Sequence, residues 1–212
     1  MIVTRPLVDA DVDRAAAVLG EAFHDYPWTR WAIDGRDHVM RITELQRLAL
    51  THFGVPYGLP WVTTVDGTIE CVALWFDSAR RIPPEVAAAL GDRFVELEGD
   101  RSAASAAADD EYHGWRPSER HLYLATMGTT PASQGRGLGA RTLAPGLQFA
   151  DEQGLVACLE TSSEANVRFY SRLGFEAVRH WRIADGTGPD LWLMRREHRH
   201  RPVAAEGERS IT

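Results

Sequence analysis

The sequence predicts an α/β (α+β) fold in which about seven strands are flanked by helices. Short segments have the apolar, β-branched composition of strands, and the longer segments between them have the apolar spacing of helices. The dipeptide Asp66-Gly67, between two strand-like segments, is a strong hairpin signal. With 212 residues, 44% of them hydrophobic, the chain is long enough for one buried core. We therefore expect a single domain over residues 1–196.

The strand signals are apolar runs that end at turn residues. They lie at residues 3–8, 61–65, 69–76, 122–127, 155–159, 177–183 and 191–195. The second and third flank Asp66-Gly67, and the last two form a closing pair around Asp185-Gly186.

The helix signals combine apolar periodicity with residues that start or stop a helix. Asp9 is the expected N-cap of the first helix, Pro27 separates it from the second, and Pro83-Pro84 begins the third. The helix signals lie at residues 10–23, 39–53, 83–97, 102–111, 141–152 and 163–174. The alanine-rich residues 102–111 form either a helix or a solvent-exposed link. Residues 83–113 are therefore expected to be a helical insertion.

The run Gln134-Gly135-Arg136-Gly137-Leu138-Gly139-Ala140 is the most informative segment of the chain. It lies between a strand-like segment and a helix, and its three alternate glycines give a turn without side-chain walls. Backbone N–H groups of such a turn can close on an anion at the N-terminus of the next helix, where the macrodipole places roughly +0.5 of a charge. This arrangement favours a phosphate as ligand. Pro145 lies within that helix, so either the helix kinks there or its first turns are shorter.

The glycine spacing excludes two common phosphate loops. A Walker loop needs Lys and then Ser or Thr after its last glycine, where this chain has Ala140 and Arg141. A dinucleotide loop needs G-x-G-x-x-G, and counted from Gly137 its third glycine would fall on Thr142. The run does fit Q-x-x-G-x-G/A, beginning at Gln134. Taken alone, it is also compatible with a plain glycine-rich turn.

A second motif lies further along the chain. Ser163 is the expected N-cap and Gly174 the expected stop of a helix that carries Asn166 and Tyr170 on one face. This segment matches the pattern N-x-x-x-Y-x-x-x-G-F.

The two motifs, in this order, resemble those of the GNAT superfamily of acyl-CoA-dependent N-acetyltransferases. The first is similar to the pyrophosphate loop of that family, and the second to the signature after its fifth strand. The resemblance implies a mixed, mostly antiparallel sheet whose central strands 4 and 5 splay apart, with the pantetheine arm of acetyl-CoA in the gap. It also implies acetyl-CoA as co-substrate, no metal, and transfer of an acetyl group to a primary amine.

A closer resemblance, over nearly the whole chain, is to the puromycin N-acetyltransferases of actinomycetes. It rests on residues 22–30, residues 43–46, Leu124-Ala125-Thr126, Leu143-Ala144-Pro145-Gly146 and Leu159-Glu160-Thr161-Ser162. The chain departs from those enzymes at Arg136, where they have lysine, and at Thr129-Thr130. Residues 56–67 and 78–121 match only loosely and are expected to shape the acceptor pocket. The resemblance therefore implies a small-molecule amine acceptor, such as an aminonucleoside or another antibiotic, and supports the reaction better than it supports puromycin itself.

The GNAT resemblance assigns a cofactor site residue by residue. Backbone groups of Met127, Gly128 and Thr129 would pair with the pantetheine arm like an added strand. Asn166 would anchor that arm or orient Tyr170. The residues that would hold the pyrophosphate are Gln134, Gly135, Arg136, Gly137, Leu138, Gly139 and Ala140. Within this set, the guanidinium of Arg136 either adds charge or is an ordinary surface group.

Three side chains are candidates for the chemistry. Acyl transfer from a thioester to an amine needs a neutral amine, a polarised carbonyl and a proton for the departing thiolate. Tyr170 is the candidate acid, because a phenol with an ordinary pKa of about 10 is protonated at neutral pH; alternatively it packs in the core with Phe169. Tyr26 matches a tyrosine of the puromycin enzymes and would act on the amine through water or a hydrogen bond. Glu160 is chemically the better base.

The composition bears on partners and location. The net charge of −7 disfavours nucleic acid and suits a cationic amine. No window reaches the roughly 18 uninterrupted apolar residues of a membrane span, and the first residues do not resemble a signal peptide, so we expect a cytoplasmic protein without a membrane partner. The polar residues 197–212 are expected to be a frayed tail, in which His198 and His200 do not make a tetrahedral metal site. Both a monomer and a homodimer remain open.

Three functions remain open from the sequence. The first is an acetyltransferase acting on a small amine, and the second is one acting on peptide or protein amines. The third is a non-catalytic module that binds acyl-CoA and reports its level to a partner. Tyr170 and Glu160 favour an enzyme, because binding alone requires neither.

Overall fold

The computed structural model describes residues 1–199, so residues 200–212 of the predicted tail, with His200, lie outside it. A seven-stranded sheet organises this part of the chain, in the order β1-β2-β3-β4-β5-β7-β6. The strands are β1 Ile2–Pro6, β2 Leu59–Val65, β3 Thr68–Asp77, β4 His121–Thr129, β5 Val156–Thr161, β6 Glu176–Arg182 and β7 Asp190–Arg196. Neighbouring strands are antiparallel except for the parallel pair β4–β5. The predicted mixed, mostly antiparallel sheet is confirmed.

Helices cover both faces of the sheet. They are α1 Val12–Phe23, α2 Pro27–Ala32, α3 His38–Ala49, α4 Val55–Tyr57, α5 Pro84–Ala88, α6 Gly91–Glu98, α7 Ser102–His113, α8 Leu138–Gln153 and α9 Glu164–Ser171. The helix predicted at residues 83–97 is divided into α5 and α6, and the alanine-rich segment after it is the helix α7. Within residues 1–199, none of the helices combines the length and the apolar character needed to cross a membrane.

Local turn chemistry explains one confirmed prediction and one error. The hairpin at Asp66-Gly67 is confirmed, because both residues adopt positive φ angles, 50° and 87°, as a tight β2–β3 turn requires. The prediction that Asp9 caps the first helix is wrong. A short 3₁₀ turn precedes α1, and there the carboxylate of Asp11 accepts a hydrogen bond from the Val8 N–H at 3.0 Å. Asp11 lies three residues after Val8. At this spacing an acidic side chain can accept a hydrogen bond from the backbone N–H of the residue that precedes the helix.

Alternate residues of β3 pack on opposite layers. Val72 and Leu74 lie in a buried cluster with α1, whereas Ala73 and Trp75 lie in a cluster with α8 and α9. The helix α8 continues through Pro145, which is therefore an interior proline and leaves the Arg141 carbonyl without its usual helical donor.

The central strands separate, as the sequence resemblance implied. β4 and β5 pair only from His121↔Val156 to Tyr123↔Cys158, although both strands continue beyond that point. The register between β3 and β4 also shifts next to Ala125, which is an extra residue on β4. The facing edges of β4 and β5 are consequently free of each other along the rest of their length. This gap lies at the centre of the candidate site.

Candidate active site

The glycine run forms an open turn at the start of α8. Gly135 and Gly137 have φ angles of 75° and 76°, which favour glycine, and a Cβ atom built on either would meet no atom within 4 Å. Gly139 is more confined, since its Cβ would lie 3.2 Å from both Met127 Cε and Phe169 Cζ. Backbone N–H groups at this helix N-terminus are therefore open to an anion, which is the environment that a diphosphate requires.

A cavity of about 560 Å³ joins this turn to β4 and α9. The cofactor-site residues that line it are Met127, Gly128, Thr129, Gln134, Gly135, Gly137, Leu138, Gly139, Ala140, Asn166 and Tyr170. We call it the cofactor cavity. Gln134 Nε2 donates to the Thr129 carbonyl at 3.3 Å and so ties the turn to the end of β4. Arg136 is the exception: it does not line the cavity, and its Nη1 atom donates to Ser133 Oγ at 3.3 Å.

A second cavity, of about 280 Å³, lies on the other side of the gap. Side chains from α1, α2, α3, α6 and α7 enclose it together with β4 and β5, and we call it the acceptor cavity. Its aromatic lining residues are Phe23, Tyr26, Trp28, Phe94, Tyr112, Tyr123 and Tyr170. Two carboxylates, Glu98 and Glu160, also line it.

The two cavities meet at a junction of five side chains. Phe23, Tyr26, Met127, Asn166 and Tyr170 line both of them. Four of them, Tyr26, Met127, Asn166 and Tyr170, were assigned to the cofactor or to the chemistry from the sequence, in which they lie in widely separated segments. The fold brings them together where the strands separate.

Hydrogen bonds hold the phenol of Tyr26 at the end of β5. Its oxygen accepts from the backbone N–H of Ser162 at 2.7 Å and shares a hydrogen bond with Thr161 Oγ1 at 2.9 Å. Asn166 Nδ2 donates to the same Thr161 oxygen at 3.2 Å. Asn166 is therefore connected through Thr161 to Tyr26.

Tyr170 is buried, with only 6% of its surface exposed. Its ring makes edge contacts with Phe169 and Phe175, at centroid distances of 5.1 and 5.8 Å. Burial raises the pKa of the phenol well above its ordinary value, with smaller contributions from Tyr26 and Cys71. The side chain thus packs in the core and also presents a firmly protonated hydroxyl group to the junction.

Glu160 is engaged by a cation. Arg116 Nε donates to its carboxylate at 3.0 Å and Nη2 at 3.4 Å, and the Glu160 side chain is 7% exposed. The Arg116 guanidinium also lies over the Tyr123 ring, 3.6 Å from its centroid. Glu160 reaches the acceptor cavity, but its negative charge is already matched there.

Sequence reasoning missed Arg116 and Glu98. Glu98 ends α6, is partly buried, and accepts a hydrogen bond from Ser105 Oγ at 3.3 Å. Burial raises its pKa to about 7; the Ser105 hydrogen bond opposes this rise and the Asp109 carboxylate adds to it. Neither residue belongs to a motif, because only the packing of α6 and α7 brings this segment to the site.

The described side chains do not form a metal site. Among the side chains that the structure describes, which leave out those of residues 113 and 185, no three His, Cys, Asp or Glu residues are grouped as they would need to be to hold a metal ion. The two cysteines, Cys71 and Cys158, are buried and carry free thiols.

Comparisons with known proteins agree with this geometry. The model of the acetyltransferase (GNAT) family matches residues 57–175, which is more than half of the chain. The N-alpha-acetyltransferase RimI of Mycobacterium tuberculosis is 40% identical over 78 residues, which cover 34% of this chain and 46% of that protein. An uncharacterized protein of Mycobacterium leprae is 36% identical over 73 residues, or 34% of this chain and 20% of its own length. The chain thus spans less than half the length of these curated relatives.

Solved structures match over nearly the full length. A structure from Corynebacterium glutamicum, described as histone acetyltransferase HPA2 and related acetyltransferase, has a TM-score of 0.71 and 25% identity, covering 95% of this chain and 99% of its own. The structure of yncA from Salmonella typhimurium, solved with its cofactor acetyl-CoA, has a TM-score of 0.55 and 16% identity, covering 98% of this chain and 99% of that chain. At that identity the second match shows the fold alone. The family match, the sheet with its separated central strands and the glycine turn together show that this chain belongs to the acetyltransferase (GNAT) family.

Proposed function

We propose that this chain moves the acetyl group of acetyl-CoA directly to a primary amine of a small molecule. The observation that carries the proposal is the junction, where the cofactor cavity and the acceptor cavity share Tyr26, Met127, Asn166 and Tyr170. A module that only binds acyl-CoA needs the first cavity and has no use for the second. Direct transfer needs both, joined at one point.

The cofactor cavity fits acetyl-CoA, which when bound supplies the thioester. The N–H groups from Gly135 to Ala140 would hold the diphosphate, because no side chain walls off the turn at Gly135 or Gly137. The open edge of β4, at Met127, Gly128 and Thr129, would pair with the amide groups of the pantetheine arm. The hydrogen bond from Gln134 to the Thr129 carbonyl would fix the position of the turn relative to the end of β4. We assign Arg136 a long-range electrostatic role, because its side chain lies outside the cavity.

The junction residues would divide the chemistry between them. Tyr170 would donate its proton to the sulfur as the thiolate leaves, because its raised pKa keeps the phenol protonated at neutral pH. The oxygen of Tyr26, held by Ser162 and Thr161, would orient the attacking amine, whose surplus proton passes to water. Asn166 would hold Thr161 in place for this task.

Glu160 has a different role in this proposal from that of a free base. If it accepted a proton, it would lose the charge that strengthens its two hydrogen bonds with Arg116. We therefore assign it as a positioning residue that fixes Arg116 over Tyr123 and so shapes the wall of the acceptor cavity.

The size and enclosure of the acceptor cavity favour a small acceptor. At about 280 Å³, and with helices α2, α6 and α7 around it, it suits a single compact amine better than a length of peptide. The aromatic lining would accommodate the ring of an aromatic amine, including the ring-bearing end of an aminonucleoside such as puromycin. A peptide α-amino group is the second candidate, and the local identity to an N-alpha-acetyltransferase favours it.

Thiol release from acetyl-CoA, measured over a panel of amines, tests the proposal. The panel holds puromycin, para-methylbenzylamine, cadaverine and a short peptide with a free α-amino group. We expect at least one of the small amines to be acetylated with a higher kcat/KM than the peptide. Release with the peptide alone would select the second candidate, and acetyl-CoA binding without release for any amine would select a binding module. The chain contains no lysine, so no lysine side chain of the enzyme competes as an acceptor.

A further inference from the structure

The charges that line the acceptor cavity are unevenly compensated. Among the described residues that line it, Glu98 and Glu160 are the charged side chains, and both are acidic. Arg116 balances Glu160 through two hydrogen bonds. Glu98 has no cationic partner among the described residues that line the cavity, and with its pKa raised to about 7 it is ionised in part at neutral pH.

Among the side chains that the structure describes, none supplies a cation to Glu98. The influences that shift its pKa are burial, the Ser105 hydroxyl and the Asp109 carboxylate, and none of these is positively charged. Asp109 in turn accepts a hydrogen bond from the Tyr112 hydroxyl. A carboxylate that is partly buried without a counter-ion is costly for the folded protein, and a cation that binds beside it lowers that cost.

Glu98 is not one of the junction residues. It lines only the acceptor cavity, whereas Tyr26 and Tyr170 line both cavities. The side chains of Trp28 and Phe94 line the same cavity, and aromatic faces beside a carboxylate are a favourable environment for an organic cation. The acceptor cavity is therefore suited to recognise a positive group through Glu98 while another part of the same molecule reacts at the junction.

We propose that Glu98 binds a second cationic group of the acceptor, so that the preferred substrates are compact diamines. One nitrogen is acetylated at the junction, and the other stays protonated beside Glu98. The inference rests on the proposed function and adds to it the class of substrate and the residue that selects it.

The test compares two amines that differ in one charge. Para-xylylenediamine carries a second aminomethyl group where para-methylbenzylamine carries a methyl group, and kcat/KM for each is measured by thiol release. We expect the wild type to prefer the diamine by tenfold or more, and Glu98→Gln to lower the ratio of the two kcat/KM values at least tenfold. Glu98→Asp, which keeps the charge, should retain part of the preference.

The control is Glu96→Gln on the same helix, where the side chain is 68% exposed and paired with Arg93; its ratio should equal that of the wild type. Thermal melting confirms that each variant is folded. If Glu98→Gln leaves the ratio of the two kcat/KM values unchanged, the inference is overturned. This includes the case in which both amines lose activity equally. If the wild type acetylates the monoamine but does not prefer the diamine, the inference is also overturned, whereas the proposed function stands. If neither this pair nor any other amine of the panel is turned over, the proposed function itself fails.

Discussion

At the scale of single residues, the environment decides what each tyrosine can do. Tyr170 is enclosed by Phe169 and Phe175, so its proton is held firmly, whereas Tyr26 is fixed through its oxygen by the end of β5. Two phenols thus meet at one junction with different surroundings. In the proposed reaction, the first donates a proton and the second orients the nucleophile.

Tyr170→Phe tests the first role. Removing the hydroxyl group leaves the packed ring in place, so we expect kcat to fall at least tenfold, a loss of about 1.4 kcal/mol of transition-state stabilisation, with nearly unchanged affinity for acetyl-CoA. Steady-state thiol release and calorimetry measure the two quantities. Tyr57→Phe makes the same chemical change outside both cavities and should have no effect. An undiminished kcat in Tyr170→Phe would remove this residue as the acid.

The pH dependence of stability tests the environment of Glu98. Its pKa is raised from 4.5 to about 7 in the folded protein, chiefly by burial. Between these values the folded state holds a proton that the unfolded state releases, so this group's contribution to stability falls as the pH rises through that window and is constant above it. The Glu98→Gln variant has no carboxyl group at this position and therefore does not lose stability in this way. The difference in Tm, variant minus wild type, should therefore increase from pH 4.5 to about pH 7 and then level off. A difference independent of pH would contradict the assigned environment.

At the scale of elements, the site depends on a turn and on a gap between strands. Sequence reasoning predicted the turn because glycine positions and the following helix are local features, and it predicted the separated strands through the resemblance that the turn carries. It also assigned Tyr26 and Tyr170 to one site, and both residues line the junction. The helix α2 was missed because Pro27 was interpreted only as a break, although proline is well suited to the first turn of a helix.

The acceptor cavity could not be predicted in the same way. Glu98 and Tyr112 reach it only because α6 and α7 fold back onto α2 and α3, and no local pattern encodes that packing. Glu160 shows the same limit. Its position at the end of a buried strand was clear from the sequence, but its ion pair with Arg116 joins residues 44 positions apart.

Gly139→Val tests the turn as the binding element. A side chain at this position would press on Met127 and Phe169, both 3.2 Å from the Cβ position, and would narrow the entrance to the turn. We expect the Kd for acetyl-CoA to rise at least tenfold in calorimetry, with a cooperative melting transition retained. Gly35→Val is the matched control, because a Cβ there meets nothing within 4 Å and the residue lies outside both cavities. Equal affinities for the two variants would argue against the turn as the diphosphate site.

At the scale of the whole molecule, the sheet organises two cavities around one opening. The layer with α8 and α9 supplies the cofactor cavity, and the layer with α1, α2 and α3, extended by α6 and α7, supplies the acceptor cavity. Because β4 and β5 are paired at one end and separate at the other, the cavities meet without a break in the rest of the core. This arrangement permits a direct transfer in which both substrates are bound at the same time.

The most direct test of that arrangement is the affinity of a molecule that fills both cavities. Coenzyme A joined through an acetyl bridge on its sulfur to the nitrogen of para-methylbenzylamine has this property, and calorimetry compares its Kd with that of coenzyme A alone. Since the second contact is made within one molecule, we expect the conjugate to bind at least about a hundredfold more tightly. A conjugate that binds no more tightly than coenzyme A would show that the two cavities are not joined as a site for acetyl transfer.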